Sequence, residues 1–288
     1  MQNQWLVGSV RVTAIPELTT TSAAHWLIPD ARAERIRELG WMIPQYATPE
    51  GKVHMTIRSL VIESEGRRIL VDTCLGNDKE RDVPTWNMRD GPFLDDLTKA
   101  GFGPDSIDTV LCTHLHVDHV GWNTRLVDGD WVPTFPAARY LFGADEWAHW
   151  SQEDSGLDQT IRNDSIQPVL DAGLVDLVAV DEALTSEVRL TPTPGHTPGH
   201  VSVEIESGGE RGFITGDLCH MVCQASHPEW GSSFDHDPVR AEVTRRAFLA
   251  DHADTDITVF GTHWEPCAGY VVGDGVSEGH PTYRVRPA

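Results

Sequence analysis

Directly behind Ile107–Cys112, which reads as a buried strand, the chain places three imidazoles and a carboxylate within six residues, in Thr113-His114-Leu115-His116-Val117-Asp118-His119-Val120-Gly121. So dense a group of ionisable side chains constrains the fold, because it has to sit where a strand ends and the side chains meet open space. In extended or loop backbone His114 and His116 project to the same side, while the adjacent Asp118 and His119 must diverge. One segment can therefore supply two metal ions a few ångströms apart. Imidazole and carboxylate without thiolate suit Zn²⁺ and also accept Mn²⁺, Fe²⁺ or Co²⁺.

Three distant segments add to this set. Pro194-Gly195-His196-Thr197-Pro198-Gly199-His200 offers His196 on a Gly/Pro-rich turn, Ile214-Thr215-Gly216-Asp217 offers a carboxylate able to bridge two ions, and Phe260-Gly261-Thr262-His263 offers a last imidazole. Alone, each reads equally well as a turn histidine or a helix-capping Asp. Combined with the first cluster they point to a metal centre. His200 reads as support for the His196 loop.

Apolar and polar residues alternate from Val53 to Ser64, which predicts a half-buried strand, and Glu65-Gly66 marks a turn before Arg68–Asp72, completing a hairpin. Further strands are expected at Ile107–Cys112, Val201–Ile205, Gly212–Thr215 and Ile257–Phe260, and helices at Gly91–Ala100, Ala144–Trp150 and Ile161–Ala172. Pro238–His252 opens on a proline suited to a first helical turn, with Val239, Val243, Ala247 and Phe248 suggesting one buried face. Strands followed by interleaved helices and strands indicate an α/β protein whose helices cover packed sheets. No linker or repeat divides the chain, so one domain over residues 1–288 is expected. Glu17–Tyr46 is the least regular stretch; with its flank, 17–50, it reads either as a substrate-side flap or as a cover for the core.

With 288 residues, 40% of them hydrophobic, a sizeable core is available without staples. The formal charge of −22 opposes phosphate backbones and anionic lipid, which excludes nucleic acid and membrane surfaces as expected partners and leaves a small-molecule substrate. Met1–Val12 lacks a basic segment followed by an apolar run, and nothing approaches the ~20 apolar residues of a membrane span, so a cytoplasmic location is expected. Cys74, Cys112, Cys219, Cys223 and Cys267 are odd in number and form no C-x-x-C pair, as buried reduced thiols would. A homodimer is compatible with all of this.

On the H-x-H-x-D-H run His114–His119, with His196, Asp217 and His263 downstream, the chain resembles the metallo-β-lactamase superfamily, from the hairpin ending at Asp72 to His263. The resemblance implies a four-layer αββα sandwich of two similar halves with the site along one edge. It also implies two divalent cations, Zn²⁺ foremost: His114, His116 and His196 would hold the first, Asp118, His119 and His263 the second, and Asp217 would bridge them. Asp72, in Leu70-Val71-Asp72-Thr73, matches the family's early Asp and would orient a ligand. The implied reaction is hydrolysis by a hydroxide shared between the ions and oriented by Asp118, without a protein nucleophile. His220 stands where the lactone-hydrolysing branch commonly carries a Tyr touching the substrate carbonyl. An imidazole there could donate the same hydrogen bond or protonate a leaving alkoxide, which makes Asp118 and His220 the catalytic candidates.

Trp122, Trp264 and Met221 adjoin ligand segments, and Trp26, Trp41, Trp230 and Phe234 lie in irregular stretches. Together they suggest an apolar pocket selecting a small hydrophobic lactone or ester. A β-lactam or organophosphate hydrolase, or a thioesterase, would use the same site, and a non-catalytic metal-binding module is the alternative from outside enzymes. A nuclease is opposed by the length and the acidic balance.

Overall fold

The computed structural model describes residues 3–152, 159–277 and 279–288; Met1 and Gln2 of the N-terminal stretch lie outside them. In chain order, β1 (Gln4–Val7), β2 (Val10–Ser22), β3 (Val53–Ser64), β4 (Arg67–Val71) and β5 (Thr109–Leu111) are followed by a separate hairpin, β6 (Thr124–Val127) and β7 (Asp130–Pro133). Then come β8 (Arg139–Gly143) and β9 (Val175–Val178). The first sheet has the order β1-β2-β3-β4-β5-β8-β9. The hairpin expected from the Glu65-Gly66 turn is β3 against β4, and from β4 onward the strands run parallel. The second sheet joins β10 (Val188–Pro192), β11 (Val201–Ser207), β12 (Glu210–Ile214), β13 (Thr258–Phe260), β14 (Ala268–Ser277) and β15 (His280–Pro287) in sequence order. Only its β12–β13 pair is parallel.

The side chains define three apolar layers. Val10, Val12, Leu60, Ile62 and Val71 of the first sheet meet Val188, Leu190, Val203, Ile205 and Phe260 of the second. On the outer side of the first sheet, Val61, Leu70, Val110 and Tyr140 lie under Phe93, Leu97 and Val169 of its helices. On the outer side of the second, Phe213, Val259, Val271 and Val285 lie under Phe248 and Leu249. Each buried aliphatic side chain contributes about 1.5–3 kcal/mol. Two sheets face to face with helices outside them make the αββα architecture expected from the sequence.

Three local expectations change. β3 was expected to be half-buried, but nearly every residue of it is buried, because a central strand in this sandwich has both faces covered. The helix Pro238–His252 has the expected bounds, yet Val239 and Val243 are 75% and 62% exposed. Its buried face is Ala241, Arg245, Phe248 and Leu249, spaced i, i+4, i+7 and i+8. Arg245 is tolerated there because its guanidinium donates to the carbonyls of Leu218 and Pro228 at 3.0 and 2.6 Å. The stretch expected as one helix over Ile161–Ala172 is instead Gln159–Ile161, a π-helical turn Arg162–Ile166, and Gln167–Asp171.

Residues 17–22 belong to β2. Downstream, Ala24, Ile28, Ile36, Met42 and Tyr46 pack on the outer side of the second sheet. All five cysteines are free and buried. Among the described residues no helix is long and apolar enough to cross a membrane.

Candidate metal centre

The cluster is assembled where β4, β5, β12 and β13 end and where the loop between β10 and β11 turns. At the end of β4, Asp72 takes a left-handed φ of 59°, which swings its carboxylate across the mouth of β5. There it accepts the Thr113 backbone N–H at 2.7 Å and the Thr113 hydroxyl at 3.0 Å. Asp72 Oδ2 also lies 2.9 Å from His119 Nδ1. The far side of that ring, Nε2, then faces Asp217 Oδ1 at 3.3 Å and Asp118 Oδ1 at 3.6 Å. Asp72, expected to orient a ligand, thus lies beside the His119 ring.

The seven expected side chains converge as two groups. His114, His116, His196 and Asp217 each bring a donor atom within 4.8 Å of the others, and Asp118, His119 and His263 do the same. Asp217 faces both: Oδ2 lies 3.4 Å from His196 Nε2 and 3.7 Å from His114 Nε2, while Oδ1 lies 3.0 Å from His263 Nε2. His263 Nε2 is 3.6 Å from Asp118 Oδ2, and His196 Nε2 is 2.9 Å from His116 Nδ1.

Burial and the neighbouring imidazoles hold His114 well below its ordinary pKa. The same causes bring His116 down to about 3. Burial brings His196 to about 4 against the pull of Asp235. Each of these shifts favours the neutral imidazole, the form that offers a lone pair to a cation. Burial would lower His119 as well, but the carboxylates of Asp217, Asp72 and Asp118 overcome it and raise the ring. Asp217, which burial would raise, is driven well below the usual carboxylate range by His119, His263 and His220. Among the described residues, His114 Nε2 is buried without a hydrogen-bond partner, an arrangement costing about 1–3 kcal/mol if nothing takes the lone pair. Five imidazoles and two carboxylates in two such groups fit divalent cations of the zinc type.

The supports around the cluster are less visible in sequence. Asp235 Oδ1 lies 2.9 Å from His196 Nδ1 and Asp235 Oδ2 accepts the Ser232 N–H at 2.9 Å, so one carboxylate both orients the ring and closes its own loop. The buried carboxylate of Glu146 accepts from Leu115 N at 3.1 Å, Gly199 N at 3.0 Å and Trp150 Nε1 at 2.6 Å. It thereby ties the His116 loop to the His196 loop. A Cβ on Gly199 would lie 2.1 Å from Glu146 N, which is why a glycine stands there. His200 accepts the Asp217 backbone N–H at 2.9 Å through Nε2, so it steadies the bridging candidate as well as its own loop. These partners are tens of residues apart in sequence, and only His200 carried a local signal.

His220 is buried at the floor of the same site, with Nε2 3.1 Å from Asp217 Oδ2 and its ring parallel to that of His263 at 6.0 Å. Above it opens a cavity of about 550 Å³ walled by Leu18, Trp26, Met55, Ile57, Trp86 and Trp150. Trp26 and Phe234 border it as the sequence suggested. Trp122, Trp230, Trp264 and Met221 are instead buried in the core, and Trp41 packs against that core with Nε1 donating to Ser226 Oγ at 3.1 Å. Trp86 and Trp150, unremarked in sequence, take their place.

A family model described as the metallo-beta-lactamase superfamily matches residues 56–263. An N-acyl homoserine lactonase of a Bacillus species is 26% identical over 175 residues, covering 56% of this chain and 62% of the lactonase, so less than two thirds of that relative is spanned. Among solved structures, the hydrolase AbOPH of the beta lactamase superfamily superposes with a TM-score of 0.77 at 24% identity over 99% of this chain and 96% of that one. AidC, a dizinc quorum-quenching lactonase solved with a product, does so with a TM-score of 0.76 at 23% identity over the same shares. At such identities the two structures speak for the fold. Taken with the matched family model over most of its length, the chain belongs to the metallo-β-lactamase superfamily.

Proposed function

We propose that this protein is a dinuclear metal-dependent hydrolase that cleaves a small apolar lactone or ester. The chief support is a junction of two features: a cluster of cation-ready imidazoles and carboxylates forms the floor of a cavity whose walls are largely apolar and aromatic. When bound, a pair of divalent cations, zinc by the donor set, supplies an activated water and polarises the attacked carbonyl. His114, His116 and His196 would hold one cation, Asp118, His119 and His263 the other, and Asp217 both. The lactonase names of the relatives support the substrate class.

The chain's own groups divide the remaining work. Asp118, with its side chain 14% exposed, faces the cavity and would accept a proton from the attacking water. His220, also at the cavity floor, would donate a hydrogen bond to the carbonyl oxygen, or its proton to the departing alkoxide. The apolar walls would exclude water from the hydrophobic part of the substrate and set its orientation. A hydrolysis panel of lactones, aryl esters, β-lactams, thioesters and phosphotriesters, run on protein of measured metal content, tests this. An apolar lactone or ester should lead by at least tenfold; preference for small charged thioesters alone would defeat it.

A further inference from the structure

The chain between β4 and the helix Phe93–Lys99 forms a wall of the cavity without strand or helix to hold it. Val83, Thr85 and Trp86 of this loop border the cavity, and the Trp86 ring meets Trp26 edge-on at 6.2 Å. Its internal bonds, Met88 N to the Lys79 carbonyl at 2.7 Å and Arg81 N to Asn87 Oδ1 at 2.9 Å, close the loop on itself. They do not fasten it to the body of the protein.

Arg89 Nη2 reaches the Glu17 carbonyl of β2 at 3.3 Å, and the more extensive fastening is a buried polar cluster on the π-helical turn Arg162–Ile166. Arg81 grips the Asp164 carboxylate with both branches of its fork, Nη1 to Oδ2 at 2.7 Å and Nη2 to Oδ1 at 2.9 Å. The two side chains are 4% and 6% exposed. Two residues earlier, Lys79 Nζ donates to the Asp164 carbonyl and to Thr124 Oγ1, both at 2.8 Å, and sits 3.7 Å from the centre of the Trp131 ring. Asp164 is buried in this π turn, where its carboxylate takes Arg81 and its carbonyl takes Lys79, and Ile161, one residue before the turn, borders the same cavity. A bidentate buried pair of this kind fixes geometry more than it adds stability, since desolvation consumes most of its Coulombic gain.

We infer that Arg81, Lys79 and Asp164 are positioning residues for substrate selection: they hold the Val83–Trp86 wall in place and so set which length of apolar substituent the cavity accepts. The inference rests on the reading of this cavity as the substrate site. The cluster acts through that wall, lining no part of the cavity itself, and leaves bond cleavage to the metal-centre residues. Discrimination by length should therefore depend on Arg81 while turnover of a bound short substrate does not.

The test compares wild type, Arg81→Met and Arg81→Lys as metal-loaded protein, on aryl esters with acyl chains of two, six and ten carbons. Arg81→Met should raise KM for the longest ester about tenfold, leave the shortest unchanged, and keep kcat within about twofold throughout. Arg81→Lys, which keeps the charge and loses the fork, should fall between. In parallel, hydrogen exchange of the amides of residues 78–90 should accelerate at least tenfold in Arg81→Met, with β3 amides unaffected. Calorimetric dissociation constants for the free acids of the same chain lengths should follow the KM pattern. Unchanged exchange in 78–90, or faster exchange with length preference intact in both KM and acid affinity, overturns the inference. A wild type inert toward all esters would sink the hydrolase reading alone, because exchange and acid binding still judge the cluster.

Discussion

Glu146→Gln isolates the link between the two halves of the metal centre. In the native protein Oε1 serves Leu115 N and Trp150 Nε1, and Oε2 serves Gly199 N. The amide loses least by keeping its oxygen where Oε1 was, which turns its NH₂ toward the Gly199 N–H, donor against donor. One hydrogen bond to a charged acceptor is then lost, worth about 1.5–3 kcal/mol, and a buried N–H is left unpaired. Gly199 follows His196 by three residues, so the slack enters the group formed by His114, His116, His196 and Asp217. Loss of such an orienting partner lowers metal affinity by about 10–100-fold. Urea unfolding of metal-free protein should show a loss of about 2 kcal/mol. A chelator-competition titration should show one weakened cation and one, on the side of Asp118, His119 and His263, held as before. Unfolding within about 0.5 kcal/mol of wild type, with both affinities unchanged, would refute the argument.

Other perturbations reach different parts of the account. His220→Ala should lower kcat about 100-fold while metal content, read by elemental analysis, stays at the wild-type value; an unaltered kcat would return His220 to a packing role. Gly199→Ala forces a Cβ to 2.1 Å from Glu146 N, so the backbone has to move, and thermal unfolding should report a loss of about 2 kcal/mol or more. Burial, only partly offset by Asp164, brings the Lys79 amine down to about 7 from its ordinary 10.5. Between those values the unfolded chain carries a proton that the folded one has lost. Stability from this residue therefore rises with pH across that window, by at most about 1.4 kcal/mol per unit, and the penalty is full below pH 7. Lys79→Met should flatten the rise in urea-unfolding free energy between pH 8 and 10; parallel profiles would contradict the assignment.

The candidate metal centre was legible in sequence because its largest piece is contiguous: His114, His116, Asp118 and His119 follow one strand, and the other three ligand candidates sit on Gly-containing turns at strand ends. The geometry draws all seven together. Asp235 and Glu146 were not legible, since a carboxylate that accepts backbone or imidazole N–H groups across 31 to 53 residues leaves no local pattern. The helix Pro238–His252 shows the same limit in reverse: hydropathy favoured Val239 and Val243, but the buried face includes Arg245, which is paid for by carbonyls contributed from Leu218 and Pro228. Strand β3 misled because alternation reports one covered face, and the sandwich covers two. Tryptophans near ligand segments divided between core and cavity according to loop paths that periodicity does not encode; Trp122, for example, is held inward by Glu17 at 2.7 Å.

The central claim is that seven side chains from four stretches of chain hold two cations side by side. Anomalous scattering from crystals of the zinc-supplied protein addresses it most directly. Two peaks are expected, one bound by His114, His116 and His196 and one by Asp118, His119 and His263, with Asp217 reaching both at about 2.0–2.2 Å. A single peak, or none among these residues at saturating zinc, would contradict it.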